Sequence, residues 1–188
     1  YTKSYLKDRQ ETGTLPRNIF TDFINRKGAD LIKKYGISFD FSKPIELIKY
    51  LIEIINIDDN EIVLDFFGGS SSTAHSVIDF NLETSKNLKY IMVQLPEQIH
   101  ESEFSNISEL GKERIRRVVK KIRTDNPLIS NNYDLGFKVF KLDSSNIKGW
   151  DGNPEDLETS LFDAQENIKA DRTEEDVLFE ILLKYGLD

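Results

Sequence analysis

Apolar residues recur along this chain in two periods, and the switches between them mark its elements. Ile45, Ile48, Ile52 and Ile55, joined by Leu51, fall at helical spacing, and Pro44 ahead of them suits a first helical turn. A helix is therefore predicted over 44–56, packed on something flat. Glu61-Ile62-Val63-Leu64-Asp65-Phe66-Phe67 has the length and composition of a buried strand. Gly68-Gly69-Ser70-Ser71-Ser72-Thr73 turns it into a helix reaching Phe80, on which Ala74, Val77 and Ile78 share a face. Tyr90-Ile91-Met92-Val93-Gln94-Leu95, closed by Pro96, reads as a second strand, and Ser108 to Arg123 as a helix. Gly136-Phe137-Lys138-Val139-Phe140-Lys141-Leu142 alternates like a third strand with one wet face. Strand, tight loop, helix, strand, helix, strand is the order of a sheet wound from βαβ units, so the expected class is α/β.

The flanks differ from this middle. Residues 1–38 are polar and punctuated by Gly13, Pro16, Gly28 and Gly36, a lead-in with a short helical piece around Thr21 to Tyr35. After Trp150, Gly152-Asn153-Pro154 breaks the chain. Two acidic helical stretches are predicted beyond it, over 154–169 and 173–185, the second with an apolar stripe of Val177, Leu178, Ile181 and Leu182. The expected organisation is a lead-in over 1–38, an α/β domain over 39–150 and an acidic helical extension over 151–188. The stripe on the last helix needs a surface to cover it, on this chain or on a partner.

Charge sharpens that division. The net charge of −8 is concentrated in 151–188, with 12 acidic and 3 basic residues, and residues 1–150 are nearly neutral. A domain that gripped DNA by itself would show a clear positive excess. No apolar run approaches the ~20 residues of a membrane helix, and no disulfide or thiolate site is possible without cysteine. A cytoplasmic, reducing setting is expected. The chain starts at Tyr1 rather than at a methionine, which points to a piece of something longer.

The chemistry concentrates at 65–73. A strand ending in Asp65-Phe66-Phe67 and turning through Gly68-Gly69-Ser70 places backbone N–H groups at a helix N-terminus, beyond the carboxyl end of a strand, where wound α/β sheets bind ligands. Taken alone, five residues of glycine and serine read equally well as a flexible turn.

The wider string resembles a known motif. Asp65-Phe66-Phe67-Gly68-Gly69-Ser70-Ser71-Ser72-Thr73-Ala74-His75 is similar to the cofactor motif of amino-methyltransferases, and Phe41-Ser42-Lys43-Pro44 to the companion motif that precedes it. Tyr90 to Glu97 sits where the family's second strand ends beside the cofactor ribose. With Thr73-Ala74-His75-Ser76-Val77, Val93-Gln94-Leu95-Pro96-Glu97, Ile107 to Arg117, Phe137 to Asn146 and Thr173 to Leu178, the resemblance is to the C-terminal part of type III restriction-modification Mod subunits, β-class DNA adenine-N6 methyltransferases. It covers roughly residues 10 to 188.

The resemblance implies a Rossmann-like S-adenosylmethionine-dependent methyltransferase fold with an incomplete sheet. It also implies S-adenosylmethionine as cofactor, with Phe41, Ser42, Lys43, Asp65, Phe67, Gly68, Gly69, Ser70, Gln94 and Glu97 as its binding residues. Phe67 would lie along the cofactor, Asp65 and Lys43 near its methionine end, and Gln94 or Glu97 near the ribose. DNA, a second Mod subunit and a restriction (Res) subunit are the implied partners, with no membrane. Two positions depart from the family pattern. Ser71 replaces a frequent glycine, which would weaken binding if the position needs a positive φ. Gln94 replaces a strand-end acid, so its bonds to hydroxyls would lack charge assistance.

The Asp-Pro-Pro-Tyr-type loop that this family uses to hold the target amine is missing: Pro16, Pro44, Pro96, Pro127 and Pro154 are all isolated. No segment is long enough for a target-recognition domain. No catalytic and no metal-binding residue is expected in this chain, which alone is predicted inactive. A rival reading is a non-catalytic dimerisation or assembly module of the Mod–Res complex. An unrelated nucleotide-binding domain is disfavoured, since no Gly-Lys-Ser/Thr ends the loop. His75 is read as a packing or capping residue rather than a metal ligand, His100 as exposed and Trp150 as a packing residue. The seven basic residues from Lys112 to Arg123 either touch phosphate, line a solvated face or pair with the acidic tail.

Overall fold

The computed structural model describes residues 19–100, 102–127, 133–149 and 167–186. The chain falls into two units, Tyr1–Gly136 and Phe137–Asp188.

Unit one carries helix α1 (Asn25–Lys34), helix α2 (Ile45–Ile55), strand β1 (Ile62–Asp65), helix α3 (Ser72–Thr84), strand β2 (Lys89–Met92) and helix α4 (Ile107–Asp125). Its sheet is a parallel pair in which Val63 stands opposite Tyr90 and Leu64 opposite Ile91. Helix α3 is the crossover, as the sequence order predicts. On one face of the sheet Val63 and Tyr90 pack against Ile52 of α2, Val77 and Phe80 of α3 and Leu88. On the other face Ile62, Leu64, Ile91 and Val93 are exposed. Parallel strands are ordinarily covered on both faces; among the described residues the core lies on one face of this pair.

Pro44 stands one position earlier than predicted, capping α2 in an extended conformation. Ile45 and Ile52 are buried and Ile48 packs beside them, while Leu51 and Ile55 point to solvent. A second cluster joins Ile32 of α1, Ile37 and Leu110 of α4, flanked by Phe39, Ile99 and Phe104. Helix α1 reaches that position because Gly28 has no side chain. A Cβ there would stand 2.2 Å from the Ser42 carbonyl oxygen and 2.6 Å from the Lys43 carbonyl carbon. The Asn106 side chain opens α4 by accepting from the Glu109 N–H, 2.9 Å.

Unit two holds helix α5 (Glu174–Tyr185). Thr173 and Asp176 form a reciprocal capping box at its start. Residues 136–142, predicted as a third strand, form no ladder with any described residue. Their alternation supplies strand propensity, but a strand exists only with a hydrogen-bonding neighbour, and Phe140 packs edge-on against Phe179 of α5 at 5.0 Å. A single antiparallel bridge, Ile147 with Ile168, ties the two described stretches of the unit. Of the other predicted acidic helix, 154–166 lie outside the described residues, and 167–169 belong to that bridge segment. No helix among the described residues is long and apolar enough to cross a membrane.

Candidate functional site

Strand β1 delivers Asp65 to the carboxyl edge of the sheet, and its carboxylate shapes the turn that follows. One oxygen accepts from the Phe67 N–H at 2.9 Å and the other from the Thr73 hydroxyl at 2.6 Å, closing 65–73 into a loop. The loop is also tied to β2. The Gly68 N–H donates to the Val93 carbonyl (3.1 Å), and the Gly69 N–H donates to the Gln94 side-chain oxygen (2.6 Å). Gln94 spends its other amide atom on the Leu95 carbonyl, 2.9 Å. Its amide thus fills the acceptor role of a strand-end acid toward the loop itself.

Gly69 and Ser71 both adopt positive φ, +50° and +56°. For a residue with a Cβ the left-handed region costs roughly 1–2 kcal/mol, so Ser71 holds strain at the N-cap of α3. It is also pressed from below. Gly111 of α4 is so close that a Cβ there would meet the Ser71 Oγ at 2.5 Å and the Gly69 carbonyl oxygen at 3.2 Å.

Three residues along α4 from Gly111 lies Arg114, the largest fully buried side chain among the described residues. Its Nη1 donates to Ser42 Oγ (2.9 Å), Ser72 Oγ (2.8 Å), the Ser70 carbonyl (3.1 Å) and Ser70 Oγ (3.2 Å). Its Nε and Nη2 face His75 Nδ1 at 3.3 and 3.2 Å. The three serine hydroxyls also lie 3.3–3.4 Å from one another. Burial, with Arg114 and then Lys49 adding their charge, holds the His75 pKa down at about 3. The imidazole is therefore neutral at physiological pH, accepting at Nδ1 and protonated at Nε2, which faces Asp79 at 3.8 Å. Tyr35 packs edge-on to the ring at 5.3 Å, so His75 has the packing role expected of it. Burial lowers the Arg114 pKa to about 10, partly opposed by Tyr35 and Asp79, and leaves it a cation at neutral pH.

Of the ten residues singled out from sequence, the knot gathers Ser42 and Ser70 directly. Phe41 and Lys43, on either side of Ser42, are thereby set beside the loop, and both are exposed. Phe67 is 89% exposed and Phe41 81%, the Phe41 ring meeting Phe39 edge-on at 6.1 Å. Ser70 turns both its hydroxyl and its carbonyl inward to Arg114. Glu97 is exposed at the far end of the 94–97 segment, its backbone carbonyl accepting from the Ile107 N–H. Arg114 and Gly111 are the residues that a reading of the chain as charge runs overlooks. A signal was present: Leu110, Gly111, Arg114, Ile115, Val118, Val119 and Ile122 lie on one helical face, all buried, and Arg114 interrupts that face. Several other cations of the run pair locally. Lys112 meets Glu109, Lys121 meets Asp125, and Arg117 joins Glu113 and donates to the carbonyls of Tyr35 and Gly36.

This loop is closed by an aspartate and lies between a Lys-Pro helix start and a second parallel strand. The family model described as DNA methylase, of the N6 and N4 methyltransferases, matches residues 2–106, and the chain belongs to that family. Its relatives are Mod subunits of type III restriction-modification enzymes. It is 38% identical over 125 residues to the StyLTI Mod subunit of Salmonella typhimurium (62% of this chain, 19% of that protein). It is 36% identical over 148 residues to the EcoP15I Mod subunit of Escherichia coli (76% and 21%), and 34% identical over 125 residues to the EcoPI Mod subunit of Escherichia phage P1 (63% and 18%). The chain thus spans about a fifth of the length of these relatives.

Proposed function

We propose that this chain is the S-adenosylmethionine-holding part of a type III DNA adenine-N6 methyltransferase with a Rossmann-like core. The observation that carries the reading is the convergence of Ser42 and Ser70, 28 residues apart, at the carboxyl end of β1. It sets Phe41 and Lys43 beside the glycine loop and the first turn of α3, whose N–H groups lack intrahelical acceptors. The residues fit such a ligand: two largely exposed aromatic rings, Phe41 and Phe67, offer a stacking surface for an adenine. Lys43 and the α3 N-terminus suit a carboxylate, and Asp65 suits an ammonium.

When bound, the cofactor supplies an electrophilic methyl group for direct in-line transfer to adenine N6, with no metal in the step. This chain's residues bind and orient. Gln94 and Asp65 hold the loop's shape, and Gly68 keeps its backbone within reach of β2, where a Cβ would meet the Met92 side chain at 2.9 Å. The Asp-Pro-Pro-Tyr-type loop that holds the target amine is not in this sequence, so the chain by itself binds without methylating. DNA, a second Mod subunit and a Res subunit are the partners of the whole enzyme.

Calorimetric titration with S-adenosylmethionine or sinefungin, with ATP as control, tests the reading. Saturable binding specific to the adenosyl-sulfonium ligands is expected, weakened about tenfold by Phe67→Ala, as loss of one stacked ring predicts. A folded chain that binds neither ligand at millimolar concentration would remove the reading. The assembly-module alternative draws on α5, none of whose residues is buried and which exposes Leu178, Ile181, Leu183 and Tyr185. A tight dimer in sedimentation without ligand, lost on Leu183→Glu, would favour it.

A further inference from the structure

Every hydrogen-bond acceptor around the Arg114 guanidinium is neutral: three serine hydroxyls, one peptide carbonyl and a neutral imidazole. The carboxylate that acts on it, Asp79, faces the opposite nitrogen of the same imidazole and reaches Arg114 only through the field. Asp79 is itself shared with Lys49, at 3.9 Å. A buried cation without a contacting anion is costly, and a fold that only needed packing would place an apolar side chain there. What Arg114 touches is the inner side of the proposed ligand loop. It holds the Ser70 carbonyl and hydroxyl, the first helical residue Ser72, and Ser42 between Phe41 and Lys43. Its charge is one peptide layer behind the α3 N-terminus and adds to the partial positive charge already there.

We propose that Arg114 is the positioning residue of the cofactor loop. It locks Ser42, Ser70 and Ser72 into one rigid unit, and its unneutralised charge makes the loop select a ligand that carries a carboxylate. The inference rests on the adenosyl-ligand reading above, and the experiment separates the two.

Wild type, Arg114→Gln and Arg114→Lys are titrated with two ligands, S-adenosylhomocysteine, which bears the amino-acid end, and 5′-methylthioadenosine, which lacks it. Circular dichroism and thermal melts verify the fold. Wild type is expected to prefer S-adenosylhomocysteine by at least about tenfold, the scale of one charge-assisted hydrogen bond. Arg114→Gln should lose most of that preference while its 5′-methylthioadenosine affinity changes less than about threefold. Arg114→Lys keeps the charge but not the fork, so it should weaken both ligands and retain the preference. Equal loss for both ligands in Arg114→Gln would make Arg114 a packing residue and overturn the proposal. If Arg114→Gln does not fold, a lysine variant that loses the preference overturns it equally. Wild type that binds both ligands alike overturns it without any variant. Wild type that binds neither instead removes the adenosyl reading on which it stands.

Discussion

Unit one has a cation as its largest fully buried side chain, whereas in unit two the helix has no buried residue and ions hold it from outside. In unit one Arg114 is surrounded by three serine hydroxyls, a peptide carbonyl and an imidazole that receive it. The apolar clusters on either side, around Val77 and around Ile32, exclude the water that would otherwise compete. In unit two Glu180 does the joining: it accepts from Ser145 Oγ at 2.5 Å and the Asn146 N–H at 2.6 Å, and pairs with Lys184 at 2.6 Å. Arg172 meets Asp143 at 3.1 Å. The same residue types therefore do different work. Deep in the core a bonded charge dictates one arrangement of the loops around it; nearer the surface it contributes less and is more open to screening by salt.

Acid separates the units most sharply. His75 is held at about 3 against an ordinary 6.5, so the stability it contributes is complete above pH 6.5 and is lost as pH falls toward 3. Unit one should weaken through that window by several kcal/mol, as read from urea midpoints by hydrogen exchange, and His75→Gln should flatten the curve. A wild-type curve flat from pH 6.5 to 4 would mean the imidazole is not buried neutral.

Next in size is Gly28→Ala. The added Cβ would strike the backbone of Ser42 and Lys43, which cannot rotate away, and overpacking of this kind costs about 3 kcal/mol. Exchange protection in unit one should fall while that of α5 is unchanged. A loss below the roughly 1 kcal/mol that alanine returns to a helix would show that α1 can back away.

Ser71→Gly works in the opposite direction. Releasing the left-handed serine should stabilise unit one by about 1 kcal/mol, raising its urea midpoint. A drop would mean that the Ser71 side chain against Gly111 is worth more than the strain.

The smallest effect belongs to unit two. Its three hydrogen-bond donors, Lys184 first, pull the Glu180 pKa down to about 2 from an ordinary 4.5. Its contribution is complete above pH 4.5 and disappears as pH falls through 2. Exchange in α5 should quicken across that range in wild type and show no such step in Glu180→Gln.

Much of this was legible in the sequence, because periodicity and turn chemistry are local. The helices at 45–55 and 107–125, the strand–glycine loop–helix order, the parallel partner at 89–92 and the last helix all follow from spacing within a dozen residues. The alternation at 136–142 misled for the same reason. It reports what a segment is suited to, while a strand also needs a neighbour of the right register. Serines 70–72, which taken alone read equally well as a flexible turn or a ligand loop, are buried. Nothing within the loop says so, because the partner that makes burying them tolerable is 42–44 residues away on another helix. Ser71 was flagged as the place where glycine is frequent, but only the backbone angles show that the position is left-handed.

The sequence by itself determined the elements, their order and the membership in a methyltransferase family, since these depend on residue type and short spacing. Only the tertiary structure decided that Arg114 points inward behind the glycine loop, that Gln94 is spent on the loop and that Ile62, Leu64, Ile91 and Val93 lie exposed on one face of the sheet. Those facts depend on which distant groups are brought within hydrogen-bonding or packing distance. A buried charge in particular is stable only when every acceptor around it is already in place.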